Sequence, residues 1–280
     1  MKVIGIGDNV VDQYEHIRTM YPGGNALNFA VYARQMGYQA AYLGIFGTDS
    51  AAAHVQDVLD RLDIDRSRCR VVDGDNGCAR LKIEQGERVF LGSNEGGIRK
   101  TAPMAFIFDD LPYLKAFDLI HTGSYSYIDE QLPALRQLGI QLSYDFSDDF
   151  VLESALQLCG FLDFAFFSCA DYPLEQTRAI ILAASERGCR YVAATRGSEG
   201  ALLYDGQRWY QQPPHYVKPV DTLGVGDSFI TAFLVNFVER AQLDKHAAPE
   251  NIIQFSLEQA AAFSAQTCLI EGAFGYGTRY

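Results

Sequence analysis

Residues 220 to 239 read Val220-Asp-Thr-Leu-Gly-Val-Gly-Asp-Ser-Phe-Ile-Thr-Ala-Phe-Leu-Val-Asn-Phe-Val-Glu239, a glycine-rich turn that leads into an apolar segment. Phenylalanine recurs at positions 229, 233 and 237, and this spacing predicts a helix over 226–240 with a wide buried face. The glycines of the turn permit conformations that expose consecutive backbone N–H groups at the helix N-terminus. Such a terminus favours an anion, and Asp227 is expected beside it in the first turn.

Spacing alone leaves two interpretations of Asp227 open. An aspartate in a first turn often serves only to complement the helix dipole. Alternatively, its carboxylate accepts a proton from a hydroxyl group while the neighbouring N–H groups hold a phosphoryl group. Short glycine motifs do not decide between a structural and a catalytic role.

Short apolar runs alternate with helical stretches along the rest of the chain. Strands are predicted at 2–6, 41–46, 118–122, 141–146, 163–167 and 191–195, with a hairpin at 201–211. Helices are predicted at 25–36, 51–62, 130–137, 174–187, 226–240 and 250–267. This alternation is typical of α/β proteins with a mostly parallel sheet flanked by helices. We expect one domain over residues 1–280, with ligands at the carboxyl ends of the strands.

Two segments interrupt the alternation, at about 12–22 and 77–98. The second contains an apparent hairpin that turns at Gln85-Gly86. The two segments are expected to form a small β lid, although a plain exposed hairpin fits the pattern equally well. A lid built from extended segments leaves strand edges open, and pairing with a second lid would cover them. This favours a homodimer through the lid.

Composition excludes several classes of protein. The formal net charge is -12, with 48% hydrophobic and 21% charged residues, so a nucleic-acid partner is not expected. No apolar run approaches the length of a membrane span, and the N-terminus lacks the pattern of a signal peptide. The six cysteines are scattered, which is typical of reduced thiols. A cytoplasmic protein is the expectation.

The pattern Asp-Thr-x-Gly-x-Gly-Asp at 221–227 resembles the C-terminal signature of the ribokinase, or PfkB, family of carbohydrate kinases. The resemblance implies a ribokinase-like fold. It makes Asp227 the catalytic base and gives the anion hole to Gly224, Val225 and Gly226. Val225 stands where the family usually has alanine or glycine, which matters little if only its N–H is used. Asp221 matches a position that in several members helps to bind a monovalent cation.

The N-terminal half resembles the substrate end of the same family. Glycines in the run Tyr21-Pro-Gly-Gly-Asn-Ala-Leu-Asn28 would let a ligand approach the backbone, and an asparagine offers a donor and an acceptor to a diol. A plain helix start with Asn25 as its cap is the alternative. The run Gly7-Asp-Asn-Val-Val-Asp12 resembles the first-strand motif of the family. The resemblance implies substrate contacts from Asp8, Asp12, Gly24 and Asn28.

Two glycine turns resemble the segments of the family that bind the nucleotide. The run Thr195-Arg-Gly-Ser-Glu-Gly200 resembles the turn that lies along ATP in the family, and Glu271-Gly-Ala-Phe-Gly275 resembles a loop near the nucleotide. The resemblance implies nucleotide contacts from Thr195, Gly197, Gly200, Gly272 and Ala273. In place of the usual Asn-x-x-Glu for magnesium stands Ser168-Cys-Ala-Asp171, which leaves Asp171 as a candidate metal residue. ATP, Mg²⁺ and K⁺ are the cofactors that the resemblance suggests.

Within the family, the chain is most similar to kinases of fructosamines, Amadori compounds such as fructoselysine. The runs that carry this similarity include Gly23-Gly-Asn-Ala-Leu-Asn-Phe-Ala-Val-Tyr32 and Tyr144-Asp-Phe-Ser-Asp148. The resemblance implies transfer of phosphate from ATP to the 6-hydroxyl of such a sugar. A kinase for 2-keto-3-deoxygluconate, ribose or a nucleoside remains an alternative, as does a non-catalytic protein that binds a metabolite. A Rossmann dehydrogenase is excluded because Gly-x-Gly-x-x-Gly is not completed after the first strand.

Overall fold

A computed structural model describes residues 1–84 and 87–280 of the chain. The predicted turn at Gln85-Gly86 lies outside the described residues. No helix among the residues described is long and apolar enough to cross a membrane. All six cysteines are free thiols, as the sequence predicts.

The elements follow one another in an α/β order. The strands are β1 (Lys2–Gly7), β2 (Val10–Tyr14), β3 (Thr19–Gly23), β4 (Gln39–Phe46), β5 (Arg70–Val71), β6 (Gly77–Glu84), β7 (Glu87–Ser93), β8 (Leu119–Gly123), β9 (Gln141–Asp145), β10 (Phe164–Ser168), β11 (Tyr191–Thr195), β12 (Ala201–Tyr204), β13 (Trp209–Gln212) and β14 (Thr278–Arg279). The helices are α1 (Asn25–Gln35), α2 (Ser50–Arg61), α3 (Ile98–Thr101), α4 (Ile107–Leu114), α5 (Leu132–Arg136), α6 (Leu152–Leu158), α7 (Leu174–Glu186), α8 (Val225–Leu243) and α9 (Pro249–Thr267).

A nine-stranded sheet forms the centre of the molecule, in the order β13-β12-β11-β10-β9-β8-β1-β4-β5. The strands from β11 to β5 are parallel, and β12 and β13 complete the sheet as the predicted antiparallel hairpin. Helices cover both faces, because side chains alternate along each strand. On β10, for example, Phe164 and Phe166 pack with α8, whereas Ala165 and Phe167 pack on the opposite face. The predicted α/β fold class is confirmed.

A second, smaller sheet of five strands has the order β14-β3-β2-β6-β7. It contains most of the two segments at 12–22 and 77–98 that the sequence sets apart. Its β14 comes from the other end of the chain and pairs with β3 through Met20 and Thr19. The smaller sheet is therefore confirmed, while its action as a lid of a single kinase domain stays a prediction.

The fold brings three strand ends and two helix starts to one edge of the large sheet. The strands β1, β8 and β9 are neighbours and run in the same direction, so their carboxyl ends lie side by side. The helix α1 packs against both α8 and β1. Polar residues at these ends therefore face a common space, as the parallel sheet predicts.

Candidate active site

A cavity of about 670 Å³ opens at this edge and is lined by residues of both sheets. The large sheet contributes Asp145, and Ser124 follows its strand β8, while the small sheet contributes Asp12 and Ala79. The wall also includes Asp227 from the first turn of α8. Residues that are distant in sequence thus meet in one concave space that is large enough for a sugar-sized ligand.

The start of α8 presents free backbone N–H groups, as the glycine turn predicts. Gly224 is the N-cap residue, with φ 70°, and the first intrahelical hydrogen bond runs from Ser228 N to Gly224 O at 2.8 Å. The N–H groups of Val225, Gly226 and Asp227 precede that bond and have no acceptor within the helix. A Cβ atom placed on Gly226 would meet no atom within 4 Å, so the backbone here borders open space. This geometry suits an anion.

Two asparagines of α1 hold the carboxylate of Asp227. Asn25 Nδ2 donates to Asp227 Oδ1 at 2.9 Å, and Asn28 Nδ2 donates to Asp227 Oδ2 at 2.5 Å. Burial raises the pKa of Asp227 above its ordinary value, and the hydrogen bonds from Asn28 and Asn25 act in the opposite direction. The carboxylate is therefore fixed in orientation and is a stronger base than an exposed aspartate.

Asp145 supplies a second carboxylate to the same amide group. Asn25 Nδ2 also donates to Asp145 Oδ2 at 2.8 Å, and Ser147 N donates to Asp145 Oδ1 at 2.9 Å. Burial, together with the negative charge of Asp227, raises the pKa of Asp145 to about 7. Asp145 thus combines a turn contact with Ser147 and a place in the cavity wall.

Asp8 binds the N-terminus of α1. Its carboxylate accepts hydrogen bonds from Asn25 N at 2.7 Å and from Ala26 N at 3.0 Å. The interpretation of Asn25 as the helix cap is therefore wrong, since Gly24 is the N-cap and the Asn25 side chain points to the two carboxylates. Asp8 lines the cavity, and its contact with substrate stays a prediction.

The other predicted substrate residues lie around the same space. Asp12 lies on β2, is 7% exposed and lines the cavity. Gly24 has φ 112°, and a Cβ atom there would lie 2.8 Å from Asn9 Cα, so only glycine fits without a shift of the backbone. The side-chain oxygen Oδ1 of Asn28 is buried and has no hydrogen-bond partner among the described residues.

The loop at 271–275 packs against the turn before α8. The carboxylate of Asp221 accepts hydrogen bonds from Gly272 N and Leu223 N, both at 3.0 Å, and from the hydroxyl of Tyr14 on the small sheet. A Cβ atom on Gly224 would lie 2.7 Å from Ala273 Cβ. Gly272 and Ala273 are thus next to the predicted anion site, and Asp221 ties the three segments together.

The turn at Thr195 and the residue Asp171 lie apart from this cavity. Thr195 ends β11, which is two strands away from β9, and a short 3₁₀ turn follows over Gly197–Glu199. A Cβ atom on Gly200 would lie 2.0 Å from Gln212 O. Asp171 is exposed on the loop after β10, and within the described chain no three His, Cys, Asp or Glu side chains form a metal-like group. Contacts of these residues with nucleotide and metal stay predictions.

The sequence interpretation did not identify His121 or Ser143. Both are buried, and the ring of His121 contacts Ser143 Oγ at 3.0 Å and Asn25 Oδ1 at 3.1 Å. A histidine in the apolar strand Leu119-Ile-His-Thr-Gly123 was the available signal, because a buried polar side chain needs a partner.

The wall of the cavity is acidic. Its carboxylates belong to Asp8, Asp12, Glu95, Asp145, Asp149 and Asp227, and Arg99 is its basic residue among those described. The guanidinium of Arg99 donates to backbone oxygens of Ala102, Ser126 and Tyr127. Half-exposed tyrosines at 125 and 127 also line the cavity. The charge and the aromatic rings together favour a cation over an anion at this end.

Comparison with known proteins gives one family for almost the whole chain. Residues 2–139 and 163–272 match the pfkB family carbohydrate kinases. The chain is 40% identical to fructosamine kinase FrlD of Bacillus subtilis, over 100% of this chain and 95% of that protein. It is 30% identical to fructoselysine 6-kinase of Escherichia coli K12, over 96% of this chain and 98% of that protein.

Solved structures with a similar fold also include carbohydrate kinases. The structure of Arabidopsis thaliana ribokinase complexed with ribose and ATP aligns with a TM-score of 0.79 and 19% identity, over 97% of this chain and 93% of that one. This likeness shows the ribokinase-like fold. From the family match and the full-length relatives, it follows that the chain belongs to the pfkB family of carbohydrate kinases.

Proposed function

We propose that this protein transfers the γ-phosphoryl group of ATP to the 6-hydroxyl group of a fructosamine such as fructoselysine. The relatives at 40% and 30% identity, a fructosamine kinase and a fructoselysine 6-kinase, support this substrate class. One structural observation carries the reaction: the partly buried carboxylate of Asp227 lies in the cavity wall, immediately beside the N–H groups at the start of α8 that have no acceptor within the helix.

In this proposal Asp227 accepts the proton of the 6-hydroxyl group as its oxygen attacks the γ-phosphorus of ATP in line. Asn25 and Asn28 hold the carboxylate in place, and Asp12 and Gly24 border the space for the sugar. Negative charge that develops on the transferred group is stabilised by the N–H groups of the turn at 224–226.

The nucleotide and its ions are assigned to the neighbouring loops. Gly272 and Ala273 adjoin the turn before α8, and Thr195, Gly197 and Gly200 would extend the nucleotide site along the sheet edge. Mg²⁺ would neutralise charge on the phosphates of ATP, and Asp171 would be the residue that helps to hold it. Asp221 would assist K⁺, although its two oxygens already accept three hydrogen bonds and leave little room for a direct ionic contact.

The acidic wall favours a fructosamine over a plain sugar. A fructosamine carries a basic nitrogen next to its sugar carbons, and the protonated nitrogen is attracted by the carboxylates of the wall. Glu95 contributes less, since it forms an ion pair with Lys100. Tyr125 and Tyr127 offer aromatic rings to the same cation.

The smaller sheet is proposed to close over the sugar as a lid. Its residues Asp12, Ala79 and Phe90 line the cavity, so a ligand there would be covered on that side. We propose further that a second copy of the chain pairs with this sheet to form a homodimer, because an open strand edge tends to pair.

Replacement of the proposed base tests the reaction. Asp227→Asn keeps the shape and the hydrogen bonds of the side chain in part but removes its basicity. We expect turnover with fructoselysine and ATP to fall by about 10²-fold or more, with normal ATP binding and a Tm no lower than that of wild type. Asp109→Asn, an exposed position on α4, is the matched control and should behave as wild type. Near-normal turnover of Asp227→Asn would remove Asp227 from this role.

A further inference from the structure

A buried hydrogen-bonded chain leads from the core of the large sheet to the two carboxylates of the site. It begins at Ser143 on β9 and passes to His121 on the neighbouring strand β8, at 3.0 Å. The other ring nitrogen of His121 lies 3.1 Å from Asn25 Oδ1, and the ring stacks on Phe29 with its centroid 4.7 Å away. Ser143 and His121 are 0% and 1% exposed, so their polar atoms must satisfy one another.

The direction of each hydrogen bond between Ser143, His121 and Asn25 follows from the donors and acceptors that Asn25 and His121 have available. Asn25 Nδ2 donates to Asp145 Oδ2 and to Asp227 Oδ1, which uses both of its hydrogens. Asn25 Oδ1 is therefore the acceptor toward His121, and Nε2 of His121 carries the hydrogen. Burial lowers the pKa of His121 to about 3, so the ring is neutral and Nδ1 accepts the hydrogen of the Ser143 hydroxyl.

The backbone around these hydrogen-bonded residues leaves room for the Asn25 side chain. A Cβ atom on Gly123, two residues after His121 on β8, would lie 2.7 Å from Asn25 Oδ1. The same side of β9 carries Ser143 and then Asp145, because side chains alternate along a strand. Strand spacing and a glycine thus place the amide of Asn25 between the histidine and both carboxylates.

We propose that His121 is a positioning residue: through its hydrogen bond to Asn25 it fixes the amide orientation that presents Nδ2 to Asp227 and Asp145. Without the Nε2 hydrogen, the side-chain oxygen of Asn25 loses its donor, and the amide shifts to regain one. Such a shift lengthens and bends the hydrogen bonds from Nδ2, so the ionised base is held less firmly and loses part of its stabilisation. This positioning role rests on the base role proposed above for Asp227.

The expected signature is a shift in the pH dependence of catalysis. The titratable groups that act on Asp227 are Asp8 after β1, Tyr32 on α1 and Asp145 on β9, all of which are present in wild type and variants alike. A hydrogen bond to the ionised form lowers a carboxyl pKa, so loss of the Asn25 donor raises the pKa of Asp227. The fall in kcat/KM on the acid side must then move to higher pH.

The test compares His121→Leu, which keeps the volume but has no donor, with His121→Gln, whose amide can donate from a similar place. For His121→Leu we expect kcat with fructoselysine to fall at least about tenfold and KM for ATP to stay within about twofold. The acid limb of its profile of kcat/KM against pH should move to higher pH. His121→Gln should recover most of kcat and the wild-type limb. Asn25→Ala, at a half-buried helix start, should show the same upward shift and serves if His121→Leu fails to fold.

The outcomes separate this inference from the proposed function. Wild-type turnover by Asp227→Asn would overturn both. If Asp227→Asn is inactive while His121→Leu and Asn25→Ala keep the wild-type acid limb, the positioning role alone is wrong. Equal loss of kcat in His121→Leu and His121→Gln without any shift of the limb would also overturn it, because a general structural defect lowers activity equally at every pH.

Discussion

Asp145 and Asp227 share the amide group of Asn25, with Asp145 buried and Asp227 partly buried in the cavity wall. Two carboxylates at such a place repel each other, and the last to ionise does so at a raised pKa. The pair therefore disfavours the fully ionised folded state at neutral pH. Active sites often keep such unfavourable groups because they serve the reaction. The repulsion should therefore lower the free energy of unfolding at neutral pH.

The pH dependence of stability tests this repulsion. Burial and the charge of Asp227 raise the pKa of Asp145 to about 7, whereas an aspartate in the unfolded chain titrates near about 3.9. Between these values the folded protein holds a proton that the unfolded chain has lost, so this group lowers stability as pH rises. We expect the Tm of Asp145→Asn, relative to wild type, to increase from pH 5 to about pH 7 in thermal unfolding and to level off above that pH. A difference in Tm that does not change with pH would contradict the raised pKa.

At the scale of elements, β7 is an edge strand of the small sheet, with one side that pairs with no other strand among the described residues. In the described chain it pairs with β6, and its residues Phe90 and Leu91 are 64% and 37% exposed. Exposed apolar side chains on a sheet edge tend to be covered by another chain, whereas a lysine there discourages pairing. The proposed homodimer through the lid uses this edge.

Sedimentation of wild type and of one edge variant tests the dimer. We expect wild type to sediment as a dimer at micromolar concentration and Leu91→Lys to shift toward monomer. Leu174→Lys, at an exposed leucine on α7, introduces the same charge elsewhere and should remain dimeric. A monomeric wild type, or a Leu174→Lys variant that dissociates as much as Leu91→Lys, would argue against pairing at β7.

Elements that the sequence did not predict are short or depend on distant partners. Helix α4 contains Pro112, which indicates a break rather than a helix, and α6 has seven residues and a single buried side chain, Ala155. The strand β14 has two residues and exists because β3, far away in the chain, accepts it. The long helices and parallel strands were predicted because each has its own apolar period.

At the scale of the whole molecule, the fold class and the outline of the site followed from the sequence, while the contacts did not. The glycine turn, Asp227 and Asn28 were identified from local patterns and from family resemblance. His121, Ser143 and the amide of Asn25 act through hydrogen bonds between three separate elements. No local pattern encodes such a network, because strand order and register create it.

The acidic wall concerns the molecule as a whole, because it combines carboxylates from both sheets and from α8 in one cavity. It predicts a preference for a sugar that carries a cationic nitrogen. A plain ketose or ribose offers the same hydroxyl groups but lacks the charge. The difference between such substrates therefore measures the contribution of the wall directly.

The most direct measurement is ATP-dependent turnover with a panel of fructoselysine, fructose, ribose, 2-keto-3-deoxygluconate and a nucleoside, with the phosphorylated carbon located by NMR. We predict that kcat/KM is highest for fructoselysine, about tenfold or more above fructose, and that phosphate is found at C6. A higher kcat/KM for ribose, 2-keto-3-deoxygluconate or the nucleoside would contradict the substrate class. Tight binding of a sugar without any phosphorylated product would contradict the kinase reaction itself.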